Sequence, residues 1–213
     1  LNTDELRLTS EFQLDLVVHS KYQIDLLNKQ QFPGRVWVKV TTGMNRLGFP
    51  TSSLGRALLK LKSRNVVGIM SHLASADSNK AFTDAQVETF VFETKSFSLP
   101  LSIANSAGVL SFPESHLDWV RPGIMLYGGS PYDRAIPELK SVMTFSAPVI
   151  AINKINASQS VGYGRTWVAE KDTRIAVLGV GYADGYPREI ANGTVILSGL
   201  TRKIVGRVSM DMI

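Results

Sequence analysis

Between Leu14 and Gly128 two kinds of apolar pattern alternate, and that alternation limits what the chain can fold into. "LDLVVHS" from Leu14 is a compact strand-type run. "KYQIDLLNKQ" follows with helical spacing at Tyr22, Ile24, Leu26 and Leu27. "VWVKVTT" is a Val-rich strand, and "SSLGRALLKLKSR" is helical with Ser52 or Ser53 as its N-cap. "NVVGIMSHLA" reads as a strand and "NKAFTDAQVETFVFETKSF" as a helix with an apolar stripe. "PLSIANSAG" and "LDWVRPGIMLYG" are two further strand-and-loop segments. Strands separated by helices of this length argue for parallel βαβ units.

Around "GGSPYDRAIPELK" Gly and Pro cluster, and the texture changes. Strand signals then follow without long helices: "MTFSAPVIAINKI", "RIAVLGV", "TVILSG" and "RKIVGRVSM". The expected organisation is an α/β domain over 1–138 and a mostly β domain over 139–213.

The four strand segments from "VWVKVTT" onward each end in a polar motif: "TTGMNRLG", "SHLASAD", "ANSAG" and "RPGIMLYG". In a (β/α) barrel the loops at the C-terminal ends of the strands build the active site. Any one motif reads equally well as turn chemistry, because Gly, Asn, Ser and Pro favour turns. Four in succession favour a site.

Composition narrows the chemistry. There is no Cys, so disulfides and thiolate metal sites are excluded. His19, His72 and His116 are the only histidines and share no H-x-x-x-H spacing, so no metal site is expected. The net charge of +5 is spread along the chain without a basic run. A mildly basic surface that attracts small anions is favoured over nucleic-acid binding. No stretch approaches the ~18–20 continuous apolar residues of a membrane span. No signal peptide opens the chain, and both ends are expected to be cut.

Single motifs leave alternatives open. Asn105 and Ser106 in "NSAG" form either an anion cradle at a helix start or an ordinary N-cap. Arg121 in "RPGI" and Arg46 in "GMNRLG" suit a carboxylate or phosphate, or are surface arginines at strand ends. His72 is a proton shuttle, a partner for a flat ring, or a core histidine. Lys39 is a Schiff-base lysine or a strand lysine neutralised by a partner or a modification. Tyr182 in "GYADGYP" is a reactive phenol or a turn residue tied down by its hydroxyl; Tyr186 is read as a turn or packing tyrosine.

Taken in order, "VKVTTGMNRLGF", "SHLASAD", "ANSAG", "WVRPGIMLYG", "VGYGRTW", "GYADGYPR" and "GRVSMDM" resemble the bacterial alanine racemases over nearly the whole chain. The resemblance implies a partial (β/α)8 TIM-type barrel followed by a β domain. It implies a cytoplasmic, pyridoxal-phosphate-dependent homodimer with shared sites, supplying D-alanine for peptidoglycan. The alternatives are a broader amino-acid racemase of the same fold and a non-catalytic pyridoxal-phosphate carrier. By this resemblance Tyr182 is the base on the L face and serves the other subunit's cofactor. Arg121 bonds the pyridine nitrogen, and His72 lies beside the ring. Arg46 meets the cofactor and the substrate carboxylate. Asn105, Ser106, Gly123 and Ile124 hold the phosphate. Met210 and Asp211 hold the substrate.

Two departures stand out. The family's lysine-bearing "A-x-A-Y-G-H-G"-type motif is absent from the sequence, so the Schiff-base lysine is expected outside this stretch. Lys39 matches instead a strand lysine that is carbamylated in some members, although Thr41 stands where an acid or amide is usual. The stretch alone is expected to lack activity.

Overall fold

The computed structural model describes residues 1–61, 64–190 and 192–213. Lys62 and Ser63, at the end of the helix expected from "SSLGRALLKLKSR", lie outside the described residues. The chain divides into two compact units, Leu1–Met143 and Thr144–Ile213. The division expected at 138/139 thus falls at 143/144.

Unit one runs α1 (Thr3–Glu11), β1 (Leu16–Val18), α2 (Lys21–Lys29), β2 (Arg35–Thr41), β3 (Phe49–Pro50) and α3 (Leu54–Lys60). It continues with β4 (Asn65–Met70), α4 (Lys80–Thr94), β5 (Leu101–Ser102) and α5 (Ser106–Ser111). The strands pair in parallel in the order β1-β2-β4-β5, with β3 beside the end of β2. Successive parallel neighbours joined by helices form the wall of a β/α barrel.

Helix α1 was not expected. Asn2 accepts from the Glu5 amide and Glu5 reaches back to the Asn2 amide, a capping box that starts the helix. Asn79 caps α4 in the same sense, accepting from the Phe82 amide. Ser53 holds the N-cap place of α3 but makes no side-chain bond. The chain enters α3 from a 3-10 turn, so Ser53 is already near-helical and its hydroxyl is not aimed at the first-turn amides.

The strand expected over "LDWVRPGIMLYG" shrinks to one bridge, Trp119 with Ser102. The Arg121 amide then donates to Ala104 O at 3.0 Å. Pro122 has no N–H to extend the ladder, and Ile124–Tyr127 coils into a 3-10 turn. Arg121 is therefore the last residue held in register with β5.

Strand alternation separates two faces. Val36, Val38 and Val40 are at most 1% exposed and meet Ile24, Leu27, Leu54, Val87 and Phe90 from the helices. Each buried side chain of this size stabilises by about 1.5–3 kcal/mol. Trp37, Lys39 and Thr41 take the other face of β2. Register sets Trp37 against Gly68, Lys39 against Met70, and Met70 against Ser102. A Cβ on Gly68 would overlap the Trp37 ring, so only glycine leaves room there. Trp37 meets Trp119 edge to face at 6.3 Å. An aromatic floor thus underlies the polar groups one layer further along the strands.

Unit two is built from antiparallel pairs: β6 (Val149–Ile155) with β9 (Thr173–Leu178), β7 (Ser160–Val161) with β8 (Trp167–Val168), and β10 (Thr194–Leu197) with β11 (Leu200–Lys203). Among the described residues it has 3-10 turns but no α-helix. The strand expected over "RKIVGRVSM" stops at Lys203, and Gly206 at φ +77° turns the chain beyond it. Among the described residues no helix is long and apolar enough to cross a membrane.

Candidate active site

The strand ends of unit one gather Lys39, Arg46, His72 and Arg121. Burial holds the His72 imidazole down at about 4, helped by the charges of Arg121, Lys39 and Arg46. Burial likewise lowers Lys39, with Arg46 and Arg121 adding to it. Burial also lowers Arg121. Among the described residues none of the four makes an ion pair with a carboxylate. With His72 neutral, Lys39, Arg46 and Arg121 form a group of cations poised for a ligand that brings its own negative charge.

Arg121 is the best-anchored member. Its Nη1 donates to Ser102 Oγ, and its Nη2 donates to Ser71 O at 2.5 Å. Ser102 Oγ in turn donates to Trp119 O at 2.7 Å. Ser71 is fully buried and its amide donates to Ser102 O at 2.9 Å. The guanidinium plane is thus fixed by two adjacent strand ends before any ligand arrives.

Arg46 rides on the loop after β2. Thr41 Oγ1 accepts from the Asn45 amide at 2.9 Å and donates to Asn45 Oδ1 at 3.1 Å. Asn45 adopts φ +56°, and a Cβ on Gly48 would press on the Val40–Thr41 backbone. The loop folds back on its own strand and leaves Arg46 exposed.

"NSAG" opens α5. Asn105 Oδ1 accepts from the Gly108 amide at 3.0 Å, so Asn105 is the helix cap, and its Nδ2 donates to Leu73 O at 3.3 Å. Ser106 is buried, and its Oγ accepts from the amides of Gly123 at 2.9 Å and Met125 at 3.3 Å. A Cβ on Gly123 would meet only Ser106 Oγ, at 4.0 Å. The space beside Gly123 is open, with the first-turn amides of α5 and the hydroxyl of Ser106 nearby. Ile124 begins the next turn and is exposed.

In unit two "GYAD" and "SMD" are clamped together. The Tyr182 amide donates to Ser209 O at 3.1 Å and the Ala183 amide to Met210 O at 3.0 Å. A Cβ on Gly181 would collide with the backbone of Ser209 and Met210. Asp184 Oδ2 accepts from the Gly181 amide at 2.9 Å, and Gly185 turns the chain at φ +90°. Tyr182, Met210 and Asp211 are thereby brought to one end of the unit, all exposed. The Met210 amide makes no hydrogen bond among the described residues. Arg188 stands 5.6 Å over the Tyr182 ring. Tyr186 stacks on Phe145 at 6.2 Å, in the packing place expected for it.

Sequence reasoning missed Gln86, Ser71, Thr42 and Ser102, which carry the bonds behind the cations. Gln86 sits inside the buried stripe Thr83, Gln86, Val87, Phe90 of α4. An amide at a helix position whose neighbours are core is the signal that marks it.

The alanine racemase N-terminal domain family model matches residues 1–131, and the alanine racemase C-terminal domain model matches 142–213. An alanine racemase of Nitrosococcus oceani is 46% identical over 99% of this chain and 62% of its own. The biosynthetic alanine racemase of Pseudomonas aeruginosa superposes with TM-score 0.86 at 37% identity, over 100% of this chain and 62% of that one. The alanine racemase of Bartonella henselae, solved with covalently bound pyridoxal phosphate, gives TM-score 0.84 at 28% identity, again over 100% and 62%. The chain therefore spans 62% of the length of these relatives. With an N-terminal barrel wall, a β unit following it in the sequence and both family models matched in order, the chain belongs to the alanine racemase family.

Proposed function

We propose that this stretch is part of a pyridoxal-phosphate-dependent racemase that interconverts L- and D-alanine and supplies D-alanine for peptidoglycan. The observation that carries the reading is the set of cations Lys39, Arg46 and Arg121 at the strand ends, with no carboxylate paired to them among the described residues. A ligand with phosphate, phenolate and carboxylate groups supplies the missing charge.

The residues fit that cofactor. The open space beside Gly123, the first-turn amides of α5 and the Ser106 hydroxyl suit its phosphate. Arg121, already anchored, is placed to donate to the ring nitrogen. A guanidinium gives up no proton there, so the nitrogen stays unprotonated. His72 stays neutral at working pH and lies beside Arg121. Arg46 is assigned to the phenolate and carboxylate side, with Lys39 close enough for each charge to be felt by the other. When bound, pyridoxal phosphate supplies the electron sink that makes the α-hydrogen acidic.

Racemisation needs bases on opposite faces of the α-carbon. Tyr182 is assigned to the L face, where its phenol oxygen holds and releases one proton. The Met210 amide is assigned to the substrate carboxylate, with Asp211 beside it. A homodimer in which Tyr182 serves the other subunit's site completes the assignment, in the cytoplasm.

The test uses a full-length protein that carries this sequence, with alanine, serine and lysine as substrates. Tyr182→Phe is expected to lower alanine racemisation at least about a hundredfold, the usual worth of a positioned acid–base group. Turnover like that of the unmodified protein would remove Tyr182 from the role. Equal rates on all three amino acids would replace alanine with a broader substrate range.

A further inference from the structure

Gln86 lies on α4, away from the assigned cofactor contacts, yet it is 1% exposed and every polar atom of its side chain is used. Its Oε1 accepts from the Ala74 amide at 2.8 Å. Its Nε2 donates to His72 O at 3.2 Å and to Thr42 Oγ1 at 3.4 Å. Thr42 Oγ1 lies 3.0 Å from Ser71 Oγ, and the carbonyl of that same Ser71 receives Arg121 Nη2. Hydrogen bonds joined through the covalent frame of Ser71 thus lead from the middle of α4 to the guanidinium. They cross the loops after β2 and β4 on the way.

We propose that Gln86 is a positioning residue: through Thr42 and Ser71 it fixes the orientation of Arg121, and through the His72 carbonyl it fixes the backbone that carries the imidazole. Ser71 is the hinge of this relay. Its amide is committed to Ser102, its hydroxyl to Thr42 and its carbonyl to Arg121. Ser71 cannot shift without moving the guanidinium. Gln86 is the one member on a helix, so it references the two loops to a rigid element. A buried polar network of this kind specifies geometry only while every member is satisfied.

The bearing on the reaction rests on the cofactor role proposed for Arg121, but the positioning itself does not. The experiment is therefore made without cofactor, in a full-length protein carrying this sequence. Arginine side chains are labelled with nitrogen-15, Arg121→Lys assigns the signal, and exchange of the Arg121 guanidinium protons is followed by NMR. Gln86→Met and Thr42→Val are each expected to speed that exchange about fivefold, the worth of one hydrogen bond between neutral groups. The double variant goes no further than either single one, and Thr42→Ser restores slow exchange. Unchanged exchange in Thr42→Val, or strictly additive effects, overturns the relay. Should Gln86→Met fail to fold, the Thr42→Val and Thr42→Ser pair decides by itself. Loss of the relay would leave Arg121 a cofactor contact, whereas a normal relay with no effect of Arg121→Lys on cofactor binding would remove that role instead.

Discussion

Replacing His72 with Gln tests the electrostatics of the strand-end cluster. The folded state holds the imidazole at about 4, below its ordinary 6.5, with burial as the first cause and Arg121, Lys39 and Arg46 next. Between those values the unfolded chain binds a proton that the folded chain refuses. Stability is therefore full above the unfolded value of 6.5 and drains away as pH falls toward 4. At ~1.36 kcal/mol for each pH unit between the two values, the upper limit is ~3 kcal/mol. His72 is only half-buried, and solvent screening brings the expected loss to about 1 kcal/mol. Urea unfolding of the full-length protein at pH 7 and at pH 4.5, without cofactor, reads this directly. The unmodified protein is expected to lose that amount more than His72→Gln over the same interval. Identical pH dependence in the two proteins would refute the reasoning, because the imidazole would then be no more desolvated folded than unfolded.

Other positions give sharper structural readouts. Ser102→Ala deprives Trp119 O and Arg121 Nη1 of one shared hydroxyl in a site 1% exposed, so a loss of about 2 kcal/mol is expected in urea unfolding; an unchanged midpoint would show that the serine is not the anchor. Gly181→Ala drives a Cβ into the Ser209–Met210 backbone at an extended φ that any residue tolerates. The cost is therefore steric, about 1–3 kcal/mol, and an unshifted melting temperature would mean that the two turns are not clamped. Gly68→Ala is expected to displace the Trp37 indole and change the tryptophan fluorescence, and an unchanged spectrum would contradict the layered inner face.

One-sided burial makes some elements legible in the sequence. β2 is legible because Val36, Val38 and Val40 alternate with Trp37, Lys39 and Thr41, and the buried side fixes the period. α4 is less regular, because its buried stripe mixes Thr83, Gln86 and Thr94 with Val87 and Phe90 while Phe82, Val91 and Phe92 are exposed. The polar motifs after β2, β4 and β5 were legible as motifs, but their joint meaning rested on the parallel register that sets Lys39, Met70 and Ser102 side by side. Trp119–Arg121 reads as a strand because its residues favour one, yet Pro122 ends its ladder after a single bridge. The "RKIVGRVSM" run fails at Gly206, where a positive φ outweighs apolar propensity. β7 and β8 are two residues each and leave no period to read. Gln86 could be marked as a polar residue in a core stripe, but its partners Thr42, His72 and Ala74, 12 to 44 residues away, could not be read from the sequence.

The assignment of Tyr182 to one face of the α-carbon is tested most directly by solvent deuterium uptake. A full-length protein carrying this sequence, as Tyr182→Phe and unmodified, is incubated with L-alanine or D-alanine in heavy water, and α-deuterium is counted by mass spectrometry. The account predicts that Tyr182→Phe suppresses exchange of L-alanine far more than exchange of D-alanine. Equal suppression of both enantiomers, or none, would contradict it.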